Sequence, residues 1–199
     1  MNSELIRNDF PILKTKVGGH QIVYFDNAAT TQRPLPVVNA VLDYTTHENG
    51  NPHRGAHIFA ISASEAYDTS KEVVRDFIHA RSEKEIIYTR NTSESLNLVA
   101  RSYGETHLKA GDHILITIAE HHSNLVTWQR VAQKTGATLD YIYVDKETGH
   151  FPEEELKKID DPRVKLFAFA EVSNVLGIDF DPKPLIQRAH AHGAIVVLD

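Results

Sequence analysis

The feature that most constrains this chain is an alternation, from about residue 86 onward, of short apolar runs with amphipathic segments. The apolar runs predict strands at residues 86–88, 114–116, 139–143, 164–170 and 195–198. Apolar residues at helical spacing predict helices around residues 96–99, 126–131, 156–159 and 184–191. Strands that alternate with helices are typical of a parallel sheet with both faces covered by helices. The pattern therefore predicts an α/β fold with a mostly parallel sheet and helices on both faces.

The first part of the chain has a less regular pattern. Residues 22–25 form an apolar run that predicts a strand entering a tight turn at residues 26–30. Pro34 and Pro36 precede apolar residues at helical spacing, which predicts the start of a helix, and a second helix is predicted over residues 58–78. We expect an N-terminal segment of residues 1–20 and a single domain of residues 21–199. The last predicted strand, at 195–198, is expected to be fully buried.

Composition excludes several classes of function. The chain of 199 residues has a net charge of −6, whereas a nucleic-acid partner requires a surplus of Lys and Arg. No apolar stretch has the length of a signal peptide or a membrane span, so we expect a cytoplasmic protein that has no membrane partner. The sequence contains no cysteine, which excludes disulfides and Cys-based metal sites.

Polar side chains follow the predicted strands at the point where each strand ends, which is where open α/β sheets bind ligands. Thr92 and Ser93 lie at the start of a predicted helix. They have a structural interpretation as part of a helix N-cap and a functional one, in which free amides and hydroxyls bind a phosphate. Asn174 also follows a strand, in a segment of loop character, and is equally typical of a turn.

The pair His121-His122 and the final Asp199 follow two other predicted strands. Adjacent residues point in different directions, and the pair lacks a surrounding ligand cluster, so no metal site is expected. A flat imidazole can instead stack on an aromatic cofactor. A carboxylate at the end of an apolar strand is costly unless paired. Asp199 is therefore either the cap of a following segment or the partner of a protonated pyridine nitrogen, a role that Asp has towards pyridoxal phosphate (PLP).

Six runs, spread over nearly the whole chain, carry a family resemblance: YFDNAA at 24–29, PHRGAH at 52–57, TRNTSE at 89–94, EHHSN at 120–124, VSNVLG at 172–177, and HGA at 192–194 leading to Asp199. With these runs the chain resembles the group II cysteine desulfurases of the sulfur-mobilisation type. These belong to the class V aminotransferase group of fold-type I PLP enzymes. The resemblance implies an incomplete fold-type I large domain, with PLP as the cofactor and L-cysteine as the substrate.

The resemblance also implies roles for individual residues. Thr92 and Ser93 would bind the cofactor phosphate, His121 would stack on the pyridine ring and is a candidate acid or base, and Asp199 would pair with the ring nitrogen. Asn174 would contact the ring hydroxyl and help to hold the substrate.

Four further residues are expected closer to the substrate. Ala28 and Ala29 would lie in a turn near the substrate carboxylate, and His53 and Arg54 would lie near the mouth of the site.

The chain departs from the family pattern in what it lacks. The family's Schiff-base lysine follows the Asp, and the sulfur-accepting cysteine and the carboxylate-binding arginine come later still. We therefore expect a chain truncated before the lysine and inactive by itself. Asn91 also stands where a glycine is common.

For the intact enzyme, the resemblance implies release of sulfur from L-cysteine, giving alanine and an enzyme persulfide that supplies Fe–S clusters. It also implies a homodimer and a sulfur-acceptor protein as partners. Alternatives are a selenocysteine lyase, a kynureninase or an epimerase-like relative. An alternative of another class is a non-catalytic binding or dimerisation module.

Overall fold

The computed structural model describes residues 3–199, and the chain divides into two compact units, Met1–Tyr88 and Thr89–Asp199. The division expected from the sequence, a segment of residues 1–20 followed by a domain of residues 21–199, stays a prediction. Among the described residues, none of the helices combines the length and the apolar character needed to cross a bilayer.

The first unit is helical, with one small antiparallel hairpin. Its elements are α1 (Ser3–Asn8), β1 (Lys16–Val17), β2 (His20–Gln21), α2 (Leu35–Asp43) and α3 (Ile58–Phe77), with 3-10 turns at Pro11–Lys14 and Glu83–Glu85. Helix α2 starts after Pro34, as predicted, and continues as a π-helical turn at Tyr44–Glu48. Helix α3 confirms the helix predicted over 58–78.

The strand predicted at residues 22–25 is wrong. The segment has no strand partner among the described residues, and Val23 and Phe25 are 72% and 91% exposed. A strand needs a neighbour to satisfy its backbone groups, and an apolar run in the sequence does not reveal whether one exists. The turn that follows is confirmed, and the Tyr24 hydroxyl closes it by donating to the carbonyls of Asp26 and Thr30.

The second unit is built on a parallel sheet of four strands in the order β4-β3-β5-β6. Its elements are α4 (Thr92–Val99), α5 (Glu105–His107), β3 (His113–Thr117), α6 (His122–Thr135), β4 (Thr138–Ile142), α7 (Glu153–Leu156), β5 (Val164–Phe169), α8 (Pro182–Ala191) and β6 (Ile195–Leu198). A π-helical turn at Ala100–Gly104 follows α4, and a 3-10 turn at Lys157–Asp160 follows α7. The predicted α/β fold with a parallel sheet is confirmed.

Helices cover both faces of this sheet because successive side chains of a strand point to opposite sides. On one face, Ile114 and Ile116 of β3 pack in a cluster with Trp128 of α6. On the other face, Leu115 of β3 packs in a cluster with Leu185 of α8. All five side chains are buried, so the core fixes the sheet and thereby the loops at its carboxyl edge.

Two further predictions about strands fail, one at the end of the first unit and one in the second unit. Residues 86–88 were predicted as a strand but pair with none of the described residues, although Ile86 is extended and buried. Strand β6 forms as predicted, but its side chains are only partly buried. Strand β6 lies at the edge of the sheet, with β5 as its only neighbour among the described strands, which leaves it more exposed than the central strands.

Candidate functional site

The candidate site lies at the carboxyl edge of the parallel sheet, where the segments after β3, β5 and β6 meet. Backbone hydrogen bonds join the segments after β5 and β6: the Asp199 N–H donates to the Phe169 carbonyl (2.9 Å), and the Glu171 N–H donates to the Asp199 carbonyl (3.1 Å). This is the edge at which open α/β sheets bind their ligands.

His121 is the N-cap residue of α6. Its Nδ1 accepts hydrogen bonds from the backbone N–H of Ser123 (3.2 Å) and from the Ser123 hydroxyl (2.6 Å). Because Nδ1 accepts both, the neutral ring carries its proton on Nε2. The ring is exposed and lies nearly perpendicular to that of His122, with 6.0 Å between ring centroids.

Asp199 follows β6, and its side chain is half-buried. Its carboxylate has no hydrogen-bond partner among residues 3–199, and burial raises its pKa, while the nearby His121 acts in the opposite direction. The fold thus brings His121 and Asp199 close enough to interact electrostatically. A half-buried carboxylate without a donor is costly, so the site favours a cationic ligand atom at this position.

Asn174 follows β5 in a tight turn that Ser173 organises. The buried Ser173 hydroxyl donates to the Ala119 carbonyl (2.9 Å) and accepts from the backbone N–H groups of Val175 and Leu176. The Asn174 side chain is exposed and has no hydrogen bond within the described part of the chain. Ser173 therefore fixes the turn, and Asn174 is left free to bind a ligand.

Thr92 and Ser93 open α4, whose N-cap is Asn91. The Asn91 side chain accepts from the Glu94 N–H at 2.9 Å, so the structural N-cap interpretation is confirmed for Asn91. The hydroxyls of Thr92 and Ser93 are exposed and make no hydrogen bonds to other residues in the range 3–199. Helix α4 packs against α6, the helix that His121 caps.

Ala28, Ala29, His53 and Arg54 lie in the first unit. Ala28 and Ala29 are exposed in the turn after residue 26. His53 has a positive φ of 59°, its N–H donates to the Ser64 hydroxyl (2.8 Å), and its ring lies 3.5 Å from the Asp68 carboxylate. Such a backbone conformation is uncommon for a residue other than glycine.

Glu120 is a residue of this edge to which the sequence interpretation gave no role. It is only 8% exposed, and its carboxylate accepts hydrogen bonds from the Thr117 hydroxyl, from Asn124 Nδ2 (2.5 Å) and from the Ala170 N–H (3.1 Å). The Asn124 amide oxygen accepts from Trp128 Nε1 at 2.7 Å. The signal in the sequence was a carboxylate shortly after a buried strand, because such a carboxylate must be paired.

The predicted residues thus differ in how the structure arranges them. His121 and Asp199 interact, and the turn of Asn174 is bonded to the segment before His121. Thr92 and Ser93 start a helix that packs on the helix of His121. The polar side chains of Thr92, Ser93, Asn174 and Asp199 make no hydrogen bonds to other residues in the described structure.

Comparisons with known proteins agree with this architecture. Two curated relatives named "Probable cysteine desulfurase", from Synechocystis sp. and Halalkalibacterium halodurans, are each 45% identical to the chain. The matches cover 98% and 100% of this chain but 46% and 49% of the relatives. The structure of a cysteine desulfurase from Thermococcus onnurineus superposes with a TM-score of 0.87 at 40% identity, covering 98% of this chain and 46% of that one.

The chain therefore spans about half the length of the curated relatives that it matches. The family model described as "Aminotransferase class-V" matches residues 23–199, which include the whole second unit. The chain belongs to the aminotransferase class-V family.

Proposed function

We propose that this chain forms the PLP-binding part of a cysteine desulfurase that acts on L-cysteine. One observation supports the proposal: the polar side chains without hydrogen-bond partners in the described structure include Asn174 and Asp199 at the carboxyl edge and Thr92 and Ser93 at the start of α4, the residues predicted to bind the cofactor. Their neighbours Asn91, Glu120 and Ser173 are occupied in structural hydrogen bonds. The names of the relatives support the activity.

The donor set fits the chemical groups of PLP. The first amides of α4 can donate to an anion, because a helix N-terminus presents N–H groups without helical partners. The Thr92 and Ser93 hydroxyls would add donors to the phosphate, and the Asn174 amide would reach a ring substituent. The His121 ring is exposed and flat, so it can cover one face of an aromatic ligand.

Asp199 would hold a proton on the ring nitrogen. Its carboxylate lacks a donor within residues 3–199, and burial raises its pKa, so a cationic N–H placed against it would stabilise the charged form. PLP, when bound, supplies an electron sink for the substrate carbon that loses a proton. A negative charge beside the ring nitrogen strengthens that sink.

In the first unit, we propose that Ala28, Ala29, His53 and Arg54 contact the substrate. The Arg54 guanidinium is exposed and unpaired among the described residues, and arginine is suited to a carboxylate because of its bidentate donors. His53 precedes it in a conformation held by Ser64 and Asp68.

The activity, the substrate and the partners are proposals for the whole protein. There the C–S bond of L-cysteine would break, the sulfur would pass to a cysteine thiolate, and alanine would leave. The 199 residues contain no cysteine, so they cannot supply that thiolate and are expected to release no alanine by themselves. We propose a homodimer, a sulfur-acceptor protein as partner, and cytoplasmic residence.

A fluorescence titration tests the proposal. Trp128 is the single tryptophan. Its indole N–H is hydrogen-bonded to Asn124, and Asn124 is hydrogen-bonded to Glu120, the residue before His121. A ring stacked on His121 should therefore lie near Trp128 and quench its fluorescence. The ligand is pyridoxamine 5′-phosphate, which lacks the aldehyde that reacts with surface lysines, and pyridoxamine is the control without phosphate. We expect saturable quenching that is much weaker with pyridoxamine. Absence of saturable quenching, or equal curves for the two ligands, would overturn the proposal.

A further inference from the structure

A basic groove of about 540 Å³ runs between the π-helical turn at Ala100–Gly104 and the C-terminal half of α6. The side chains that line it are polar or charged: Arg101, Glu105, Arg130, Gln133 and Lys134. The whole chain has a net charge of −6, so the excess of cations in this groove is a local reversal of sign. The complement of such a surface is a ligand rich in negative charge.

The two walls of the basic groove are held together by close packing and by an ion pair. Gly104 is buried in the turn, and a Cβ atom there would lie only 3.2 Å from Val131 and 3.3 Å from Trp128. The absence of a side chain therefore lets the turn approach α6 closely. The Lys134 ammonium also pairs with the Glu105 carboxylate, which joins the two walls. The groove is thus built into the packing of this unit.

The two arginines of the basic groove have no protein partner. Arg101 and Arg130 are exposed, and neither makes a hydrogen bond or an ion pair within residues 3–199. The other arginines of the second unit are paired with carboxylates: Arg90, Arg163 and Arg188. A guanidinium presents a planar pair of donors that matches a carboxylate. Both arginines of the groove are therefore available to an anionic partner.

The cations of the basic groove are spaced for separate carboxylates and not for one compact anion. Arg130 and Lys134 lie on the same face of α6, with their backbones about 6 Å apart along the helix axis. Arg101 lies on the other wall. A phosphate would bring its dense charge near the Glu105 carboxylate, whereas a polypeptide can place its carboxylates beside the cations alone. The Gln133 amide can both donate to and accept from a peptide backbone.

We infer that the basic groove is a docking surface for an acidic segment of a partner polypeptide, whose carboxylates bind Arg101 and Arg130. The groove is separate from the proposed PLP site, because Arg130 lies about 13 Å further along α6 than His121. The inference therefore does not rest on the proposed function.

Fluorescence polarisation of labelled peptides tests the inference on the 199-residue chain. The probe is a fluorescein-labelled peptide of alternating Glu and Ser, and the control peptide has Gln in place of every Glu. Arg101→Gln and Arg130→Gln each remove one unpaired charge at an exposed position. Lys183→Gln is the matched control, because Lys183 is also exposed and has no ion pair in the described structure. It lies on α8, which covers the opposite face of the sheet.

We expect saturable binding of the Glu peptide that weakens with added salt, and no saturable binding of the Gln peptide. Each arginine substitution should raise the Kd about tenfold, since charge-assisted hydrogen bonds are strong. Lys183→Gln should leave the Kd unchanged. Thermal unfolding of the three variants should match that of the unsubstituted chain, because each replaced side chain is exposed.

The same titrations can contradict the inference. Absence of binding by the Glu peptide, or an unchanged Kd in either arginine variant, would overturn it. An equal rise of the Kd in all three variants would also overturn it, because the attraction would then come from overall charge. Tighter binding of inorganic pyrophosphate or of a single-stranded DNA oligonucleotide through the same arginines would assign the groove to phosphates and make the inference wrong.

Discussion

The Ser173 hydroxyl donates a 2.9 Å hydrogen bond to the Ala119 carbonyl, joining the segments that follow β5 and β3. Ser173 is buried, whereas its neighbour Asn174 is exposed. Ser173 thus holds the turn together, and the exposed position of Asn174 is compatible with the ligand-binding role that we propose for it.

Substitution of Ser173 by alanine should therefore destabilise the chain. It removes a donor to Ala119 and an acceptor for two backbone N–H groups, so we expect a loss of about 1–3 kcal/mol in the free energy of unfolding. Urea denaturation measures the loss. Asn174→Ala is the control, and it should leave stability within about 0.5 kcal/mol while weakening binding of pyridoxamine 5′-phosphate. Equal stabilities for both variants would contradict this interpretation of the turn.

The start of α4 permits a similar comparison. Asn91→Ala removes the N-cap bond to Glu94 and should cost about 1 kcal/mol of stability. Ser93→Ala removes a hydroxyl that has no partner among the described residues, so stability should hardly change. Ser93→Ala should instead raise the Kd for pyridoxamine 5′-phosphate roughly tenfold, since hydrogen bonds to charged groups are strong. If Ser93→Ala changed stability and not the Kd, the phosphate role of Ser93 would be wrong.

The buried amide of Asn124 is predicted to be essential for stability. Asn124→Leu would leave the Trp128 indole N–H without its acceptor and Glu120 without one of its donors. Unsatisfied buried groups of this kind cost about 1–3 kcal/mol each. Gln133→Leu, on an exposed position of the same helix, is the control. Thermal unfolding followed by Trp128 fluorescence should show a clearly lower Tm for Asn124→Leu alone.

Stability should depend on pH through Glu120. Burial raises its pKa in the folded chain above the ordinary value of 4.5, so the folded state binds the proton more tightly than the unfolded state. The stability that this proton contributes is present below pH 4.5 and is lost as the pH rises through the raised folded pKa. Relative to Glu120→Gln, the unsubstituted chain should therefore lose stability over that window. Parallel stability curves for the two chains would mean that the pKa of Glu120 is the same folded and unfolded.

The sequence predicted strands correctly where an apolar run also has a neighbouring strand with which to pair. Strand β3 is apolar throughout its centre and lies between two other strands, so its pattern was sufficient. Residues 86–88 have the same kind of pattern but no pairing partner in the described chain, and pairing is a long-range property. The role of Glu120 was missed for the same reason, because its Ala170 donor is 50 residues away.

The site was predictable in part. His121 and Asp199 were expected at strand ends, and the sheet register brings their segments together. The sequence does not reveal which polar side chains the protein itself hydrogen-bonds. Asn91 and Ser173 make such bonds, whereas the side chains of Ser93 and Asn174 make none within residues 3–199.

An NMR titration tests the central claim most directly. Amide signals of the 15N-labelled chain are followed during addition of pyridoxamine 5′-phosphate. We predict that the signals of Thr92, Ser93, His121, Asn174 and Asp199 shift together and fit a single Kd. If these five signals stay in place while shifts concentrate elsewhere, for example at the basic groove of Arg101, Arg130 and Lys134, the carboxyl edge of the sheet does not bind the ligand.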